Sequence, residues 1–161
     1  MKADMRWRKI LMLMTVLTLG IIAFSCDDDD DSANKKNYTI SGNASGSQMV
    51  PAVTGTGTGT IAGTYNPNNR ILDYTNTWSG LSGPPTGGGF YNGTSGTNGV
   101  SIGSPWTFDA TATTTGSHTG SIKLTPAQEE QLLDGDWYYV YNTAVNSTGE
   151  IRGQMSATQE Q

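Results

Sequence analysis

The chain has 161 residues, with 14 acidic and 9 basic side chains and a formal net charge of −5 at pH 7. An acidic chain repels phosphate backbones, so we expect no nucleic-acid partner. A single cysteine excludes internal disulfides, and a single histidine leaves few candidates for acid–base catalysis.

Residues 1–25 have the pattern of a secretory signal peptide. A basic head precedes an apolar run at residues 10–24, which is shorter than a bilayer-spanning helix requires. The small residues before Cys26 are typical of a bacterial lipoprotein, in which the thiol is acylated and the chain is cut between Ser25 and Cys26. We therefore predict a palmitate-type lipid anchor at Cys26 and a membrane partner through that anchor. The alternative is an ordinary signal peptide or an uncleaved anchor, in which the thiol has no role.

Residues 26–36 are interpreted as an acidic tether. Five aspartates at 27–31 follow the cysteine, and such a run is solvated and self-repelling. The run also resembles the surface-export signals of Bacteroidetes lipoproteins, with a plain spacer as the alternative. The expected location is the outer membrane, facing either the periplasm or the cell exterior.

Residues 37–157 predict a β-rich domain, followed by a C-terminal tail at 158–161. Apolar residues recur with a period of two, most clearly in a predicted strand at residues 106–113, where Trp106 and Phe108 alternate with threonine and aspartate. Similar alternation occurs at residues 38–40, 61–65, 72–78 and 151–155, and asparagine-rich turn signals lie at 66–69, 92–93 and 98–99. Seven or eight short strands in this arrangement predict an all-β sandwich or barrel.

One short helix is predicted near residues 126–134. Thr125 supplies an N-cap, Pro126 takes the first helical position, Gln128 completes a capping box, and Gly135 marks the stop. Because so short a helix is unstable alone, we expect Leu132 and Leu133 to cover an open end of the sandwich.

Three segments resemble the CHRD domain, a module found in chordin and in many exported bacterial proteins. They are Ser-Gly-Ser-Gln-Met-Val-Pro at 45–51, Leu-Thr-Pro-Ala-Gln at 124–128 and Gly-Glu-Ile-Arg-Gly-Gln-Met at 149–155. The resemblance covers residues 37–157 in the family's order and spacing. It implies a Greek-key β-sandwich resembling copper-zinc superoxide dismutase and, for typical members, a metal site held by histidines.

The positions that carry those histidines in the family correspond here to Gly89, Tyr91 and Asn142. Glycine, a neutral phenol and an amide are poor ligands for copper or zinc. The comparison therefore implies no metal and no cofactor in this chain.

His118 is the only histidine, and we expect it in a hydrogen bond at the edge of the core. A divergent metal or redox site would have to combine it with Asp73 or Asp109. Such a protein, with the same fold and a non-standard ligand set, is the alternative function.

Aromatic residues offer a candidate binding surface. On one predicted strand, Trp137, Tyr139 and Tyr141 share one face, and Tyr138, Val140 and Asn142 share the other. We expect one set to reach solvent or a groove, and core packing is the alternative. The candidate surface consists of Phe90, Tyr91, Tyr138 and Asn142.

Other motifs carry no chemistry in their context. The Gly-Val-Ser-Ile-Gly segment at 99–103 matches a nucleophile elbow, yet no helix follows it, so we interpret it as a turn entering a strand. Glu150 and Arg152 are expected to form a structural ion pair. No catalytic residue is assigned.

The expected function is a non-enzymatic binding or structural module of the outer membrane or cell surface. It would engage protein or glycan through its loops and exposed aromatic residues. The sequence pattern makes no prediction of the oligomeric state.

Overall fold

The computed structural model of the protein describes residues 34–161, which carry nine β-strands and one α-helix. The predicted signal peptide, the lipidation of Cys26 and the aspartates at 27–31 lie outside the described residues and stay predictions. The strands are β1 (Tyr38–Ser45), β2 (Thr58–Asn66), β3 (Ile71–Ser79), β4 (Pro85–Asn92), β5 (Val100–Trp106), β6 (Gly116–Lys123), β7 (Trp137–Thr143), β8 (Ile151–Gln154) and β9 (Ser156–Gln159). Helix α1 (Pro126–Leu133) lies between β6 and β7, and a short 3-10 helix, Gly46–Gln48, follows β1.

The strands form a single antiparallel sheet with the order β5-β4-β7-β8-β1-β2-β3-β6, and β9 also pairs with β1. The two end strands approach each other, since the side chain of Ile122 on β6 reaches Gly103 on β5. The sheet is therefore a nearly closed barrel or sandwich, which confirms the predicted all-β class.

Strand β3 shows how the period-two pattern builds the core. Leu72, Tyr74, Asn76 and Trp78 are buried, while the residues between them are exposed. Each fully buried large apolar side chain contributes about 1.5–3 kcal/mol relative to an exposed one. The alternation therefore determines which face of the strand turns inward.

Strand β7 is buried on both faces. Trp137, Tyr139 and Tyr141 face the interior, and each has 0% of its surface exposed. Tyr138 and Val140, on the opposite face, are also buried. Trp137, Tyr139 and Tyr141 therefore form the inward face of β7. Tyr138 and Val140 form the outward face, which other parts of the chain cover.

Helix α1 forms as predicted. The hydroxyl of Thr125 accepts from the backbone N–H of Gln128, and the Gln128 side chain accepts from the backbone N–H of Thr125. Gly135 follows with a φ of +81°, a conformation that favours glycine. Leu132 is fully buried, so the helix docks on the core through this residue.

The predicted strand at residues 106–113 is wrong. Strand β5 ends at Trp106, and residues 107–115 form an irregular loop. Hydrogen bonds hold the backbone of this loop. The carbonyl of Thr113 accepts from the indole N–H of Trp78, and the backbone N–H of Ala112 donates to the carbonyl of Asp109. Phe108 still packs against the core from this loop.

Two smaller boundaries also differ from expectation. Strand β9 reaches Gln159, so Thr158 and Gln159 of the predicted tail pair with Thr39 and Tyr38 of β1. The two Asn-Gly signals do not form separate hairpins but bracket a single loop at residues 93–99, between β4 and β5.

Candidate functional site

The structure places one of the four residues of the predicted binding surface in the core and the other three on the outward face of β4 and β7. Phe90 is only 3% exposed and belongs to the core, so its placement on a surface is corrected. It points inward because β4 alternates, and its ring packs edge-on against Tyr74 and Trp106. Tyr91 and Asn142 are partly buried on the outward face, while Tyr138 is 3% exposed.

Tyr91 and Tyr138 form a stacked pair on the outward face. They are register partners in the β4–β7 ladder, and their ring centroids lie 5.3 Å apart with an interplanar angle of 14°. The guanidinium carbon of Arg152 lies 3.6 Å from the centroid of the Tyr138 ring, a cation–π distance. Two rings and one cation are thus held together on strands β4, β7 and β8.

The loop at residues 93–99 folds over this cluster. Arg152 donates from Nη1 to the carbonyl of Thr97 at 2.6 Å and from Nη2 to the carbonyl of Thr94 at 2.9 Å. The backbone N–H of Gly99 donates to the Tyr138 hydroxyl at 2.9 Å. The side chain of Gln154 bonds the carbonyl of Gly93 in the same way. Side chains of β7 and β8 therefore hold the loop in place.

A groove of about 420 Å³ lies beside the cluster. Its walls are the segment at residues 49–53, the end of the 93–99 loop and residues 148–149, with Tyr91, Tyr138 and Arg152 among the lining side chains. The side-chain amide of Asn98 donates to the carbonyl of Val50 at 2.8 Å and joins two of these walls. This volume lies in the range of small-molecule pockets.

Arg152 is the one side chain among the groove's lining residues that carries a full charge at neutral pH. Burial lowers the pKa of its guanidinium, and the neighbouring Tyr138 opposes that shift. Arginine remains protonated across the physiological range. The groove is therefore locally positive on a chain of net negative charge.

The predicted ion pair between Glu150 and Arg152 is not observed among the described residues. Glu150 instead accepts hydrogen bonds from Ser82, Thr143 and Asn146. The two side chains serve different regions, because Arg152 holds the 93–99 loop and Glu150 holds the loop after β3. Nothing in the local sequence signals these distant partners.

His118 lies on β6 as expected, but its surroundings are aromatic. Its ring centroid is 5.4 Å from that of Trp106, 5.8 Å from that of Phe108 and 6.1 Å from that of Tyr74. Burial lowers the pKa of the imidazole. The expected hydrogen bond from this ring is not found among the described residues.

The second hypothesis, a metal or redox site around His118, gains no support from the geometry. Asp73 occupies the exposed face of β3, whereas His118 is paired with Asn76 on the buried face. Asp109 lines the same cavity of about 270 Å³ as His118. Within residues 34–161, however, no group of three His, Cys, Asp or Glu side chains is placed to hold a metal ion.

The three positions that the resemblance assigns to histidine lie on one face of the β4–β7 ladder. Gly89 and Tyr91 alternate with the inward Phe90 on β4, and Asn142 shares their face on β7, opposite Gly87. The amide oxygen of Asn142 is buried with no hydrogen-bond partner in the described part of the chain. That relatives carry histidines at these places stays a prediction from the resemblance.

Comparison with known families gives one result. The profile of the CHRD domain family matches residues 40–155. The chain belongs to the CHRD domain family. Neither the curated proteins nor the solved structures contain a match to it.

This CHRD domain spans β1 to β8, so the strands that build the groove all lie within the family match. The resemblance noted from the three sequence segments is confirmed at the level of the family. Across residues 34–161, the structure contains no helix with the length and hydrophobicity needed to cross a membrane.

Proposed function

We propose that this protein is a lipid-anchored, non-enzymatic binding module of the outer membrane or cell surface. Its ligand, a protein or a glycan, would occupy the groove beside Tyr91. The observation that carries the proposal is the groove itself, whose walls are three chain segments held over a stacked tyrosine pair. Preformed grooves with a few convergent polar groups are the usual sites of ligand binding.

The chemistry of the groove supports binding rather than catalysis. Arg152 is protonated, and burial raises the pKa of Tyr91 further above its usual range, so neither side chain exchanges a proton readily at neutral pH. His118 and Glu150 are not among the residues that line the groove. The groove therefore offers hydrogen-bond donors and an aromatic surface, but no poised acid or base.

The groove is tested by removing the partly buried ring of Tyr91. Full-length protein and its Tyr91→Ala variant would be applied to an array of oligosaccharides and peptides. We expect at least one ligand whose binding the variant weakens by about two- to twelvefold, since an aromatic contact contributes about 0.5–1.5 kcal/mol. Tyr38→Ala, on β1 and away from the groove, is the matched control. Equal binding by Tyr91→Ala and wild type would rule out the groove as the site.

The lipid anchor is tested separately at Cys26. Wild type and Cys26→Ser would be expressed in a bacterial host and fractionated. Because the acyl chains supply the membrane affinity, we expect the variant to leave the membrane fraction while wild type stays. Ser32→Ala, in the tether, serves as the control. Continued tight membrane association of Cys26→Ser would contradict the anchor.

A further inference from the structure

The floor of the groove carries a buried positive charge. Arg152 is 1% exposed, and no aspartate or glutamate is among the residues that line the groove. Within the described residues, the hydrogen bonds of its guanidinium go to carbonyl and amide oxygens rather than to a carboxylate. Neutral oxygens thus orient the guanidinium without neutralising its charge.

Not every N–H group of the guanidinium has a hydrogen-bond acceptor within the described residues. Arginine has five N–H groups, and Arg152 directs one from Nη1 and two from Nη2 at Thr97, Thr94 and Gln154. The Nε–H and the second N–H of Nη1 make no hydrogen bond within the described residues. Charge-assisted hydrogen bonds to a carboxylate are roughly twice as strong as neutral ones.

The size of the groove favours a short chain of sugars over a folded protein. A volume of about 420 Å³ accommodates a small ligand or a few sugar rings. A stable protein interface instead covers about 800 Å² on each partner. Tyr91 presents a partly exposed ring beside the charge, and the flat face of such a ring packs against the C–H groups of a sugar.

We propose that the groove binds a glycan through a carboxylate-bearing sugar of the uronic-acid type, with the carboxylate on Arg152 and the sugar ring against Tyr91. This inference rests on the proposed function and adds the ligand class. The remaining polar groups of the rim, Asn98 and Thr148, then face the sugar hydroxyls.

The charge recognition is tested without disturbing the fold. Thr148 is exposed, lines the groove and makes no side-chain hydrogen bond within the described residues. Thr148→Glu places a negative charge at the rim, and Thr148→Gln is a matched neutral control. Full-length protein in detergent would be titrated with oligogalacturonate and with an uncharged oligogalactose of equal length, using calorimetry.

We expect Thr148→Glu to bind oligogalacturonate about tenfold or more weakly than Thr148→Gln, because both variants lose the threonine hydroxyl and differ only in charge. Binding by wild type should weaken as salt is raised. Arg152→Lys should also bind more weakly, because lysine lacks the planar fork of donors.

Equal binding of the uncharged oligosaccharide would overturn the carboxylate inference while leaving the groove as a ligand site. A pentapeptide with a free C-terminal carboxylate is a third probe, and its binding in place of oligogalacturonate would overturn the glycan assignment. If wild type binds none of the probes at millimolar concentration, the inference fails. If, in addition, wild type and Tyr91→Ala bind the ligand array equally, the proposed function also fails.

Discussion

The hydroxyl of Thr143 donates a 2.6 Å hydrogen bond to a carboxylate oxygen of Glu150. The backbone N–H and hydroxyl of Ser82 and the amide of Asn146 donate to the same carboxylate. Since Glu150 is only 3% exposed, these donors replace water around a buried charge. The carboxylate therefore ties the loop after β3 to the connection between β7 and β8.

Glu150→Gln is expected to destabilise the protein by about 1–3 kcal/mol at neutral pH. The neutral amide accepts weaker hydrogen bonds than a carboxylate does. Its NH₂ group also faces hydrogen-bond donors, which it cannot accept from. Urea denaturation followed by tryptophan fluorescence measures the change. Glu130→Gln removes an equal charge from the exposed face of α1 and should shift stability by less than about 0.5 kcal/mol.

The stabilisation by Glu150 should depend on pH. Burial raises the pKa of this carboxyl, but the hydrogen bonds from Ser82, Thr143 and Asn146 outweigh burial and lower the pKa overall. A depressed folded-state pKa gives stability that is fully present above the ordinary value of 4.5 and is lost as pH falls through the folded value. The difference between wild type and Glu150→Gln should therefore shrink in acid. A difference that is constant from pH 7 to pH 3 would contradict this account.

His118 should make stability fall at mildly acidic pH. Burial lowers the pKa of its imidazole below the ordinary 6.5, so the unfolded chain binds the proton first. The stabilisation is present above pH 6.5 and decreases as pH falls towards the folded-state value. Thermal melting of wild type and His118→Phe across pH 5–8 is the measurement, since phenylalanine keeps the aromatic contacts. Because the chain has one histidine, equal slopes in the two proteins would disprove the assignment.

Asn76 should be replaceable by an apolar residue with a gain in stability. Its side chain is fully buried, and neither its nitrogen nor its oxygen has a hydrogen-bond partner within the described residues. We expect Asn76→Leu to stabilise the fold by about 1–2 kcal/mol, because a side chain of similar size removes two unsatisfied polar atoms. Equilibrium denaturation tests this, with Thr75→Leu on the exposed face of β3 as the control. A loss of stability would contradict this account and would point to a polar contact of Asn76 in the core, with the neighbouring Tyr141 hydroxyl or with internal water.

Gly153 should tolerate no side chain. A Cβ at this position would lie 2.6 Å from Cε1 and 2.7 Å from Cζ of Tyr139, whose ring is fully buried. We expect Gly153→Ala to destabilise the protein by about 1–3 kcal/mol through overpacking. Gly83→Ala is the matched control, because a Cβ there meets no atom within 4 Å. Both variants restrict the unfolded chain equally, so the difference between them isolates the packing term.

The parts of the fold that sequence predicted well are those with short-range causes. Helix α1 follows from Thr125, Pro126 and Gln128, which act within one turn. The buried face of β3 follows from alternation along one strand. The loop at residues 107–115 was not predicted, because its alternating pattern is the same as that of a strand. Its backbone is instead hydrogen-bonded to the indole of Trp78, which is distant in sequence.

The candidate site was predicted in part. Tyr91 and Tyr138 were both named, and their adjacency depends on the β4–β7 register, which the sequence does not state. Phe90 was misplaced because one residue along a strand changes the face. Arg152 was assigned to an ion pair, since Glu150 two residues away is its obvious partner in the sequence, whereas its actual partners lie in the loop at 93–99.

By itself, the sequence determined the all-β class, the capped helix, the CHRD family and the expectation of an anchor at Cys26, because each follows from a local pattern of residues or from the spacing of motifs. Only the tertiary structure decided that a guanidinium lies buried beneath a groove with no acidic residue among its lining side chains. That arrangement depends on contacts between segments more than fifty residues apart, which no local pattern encodes.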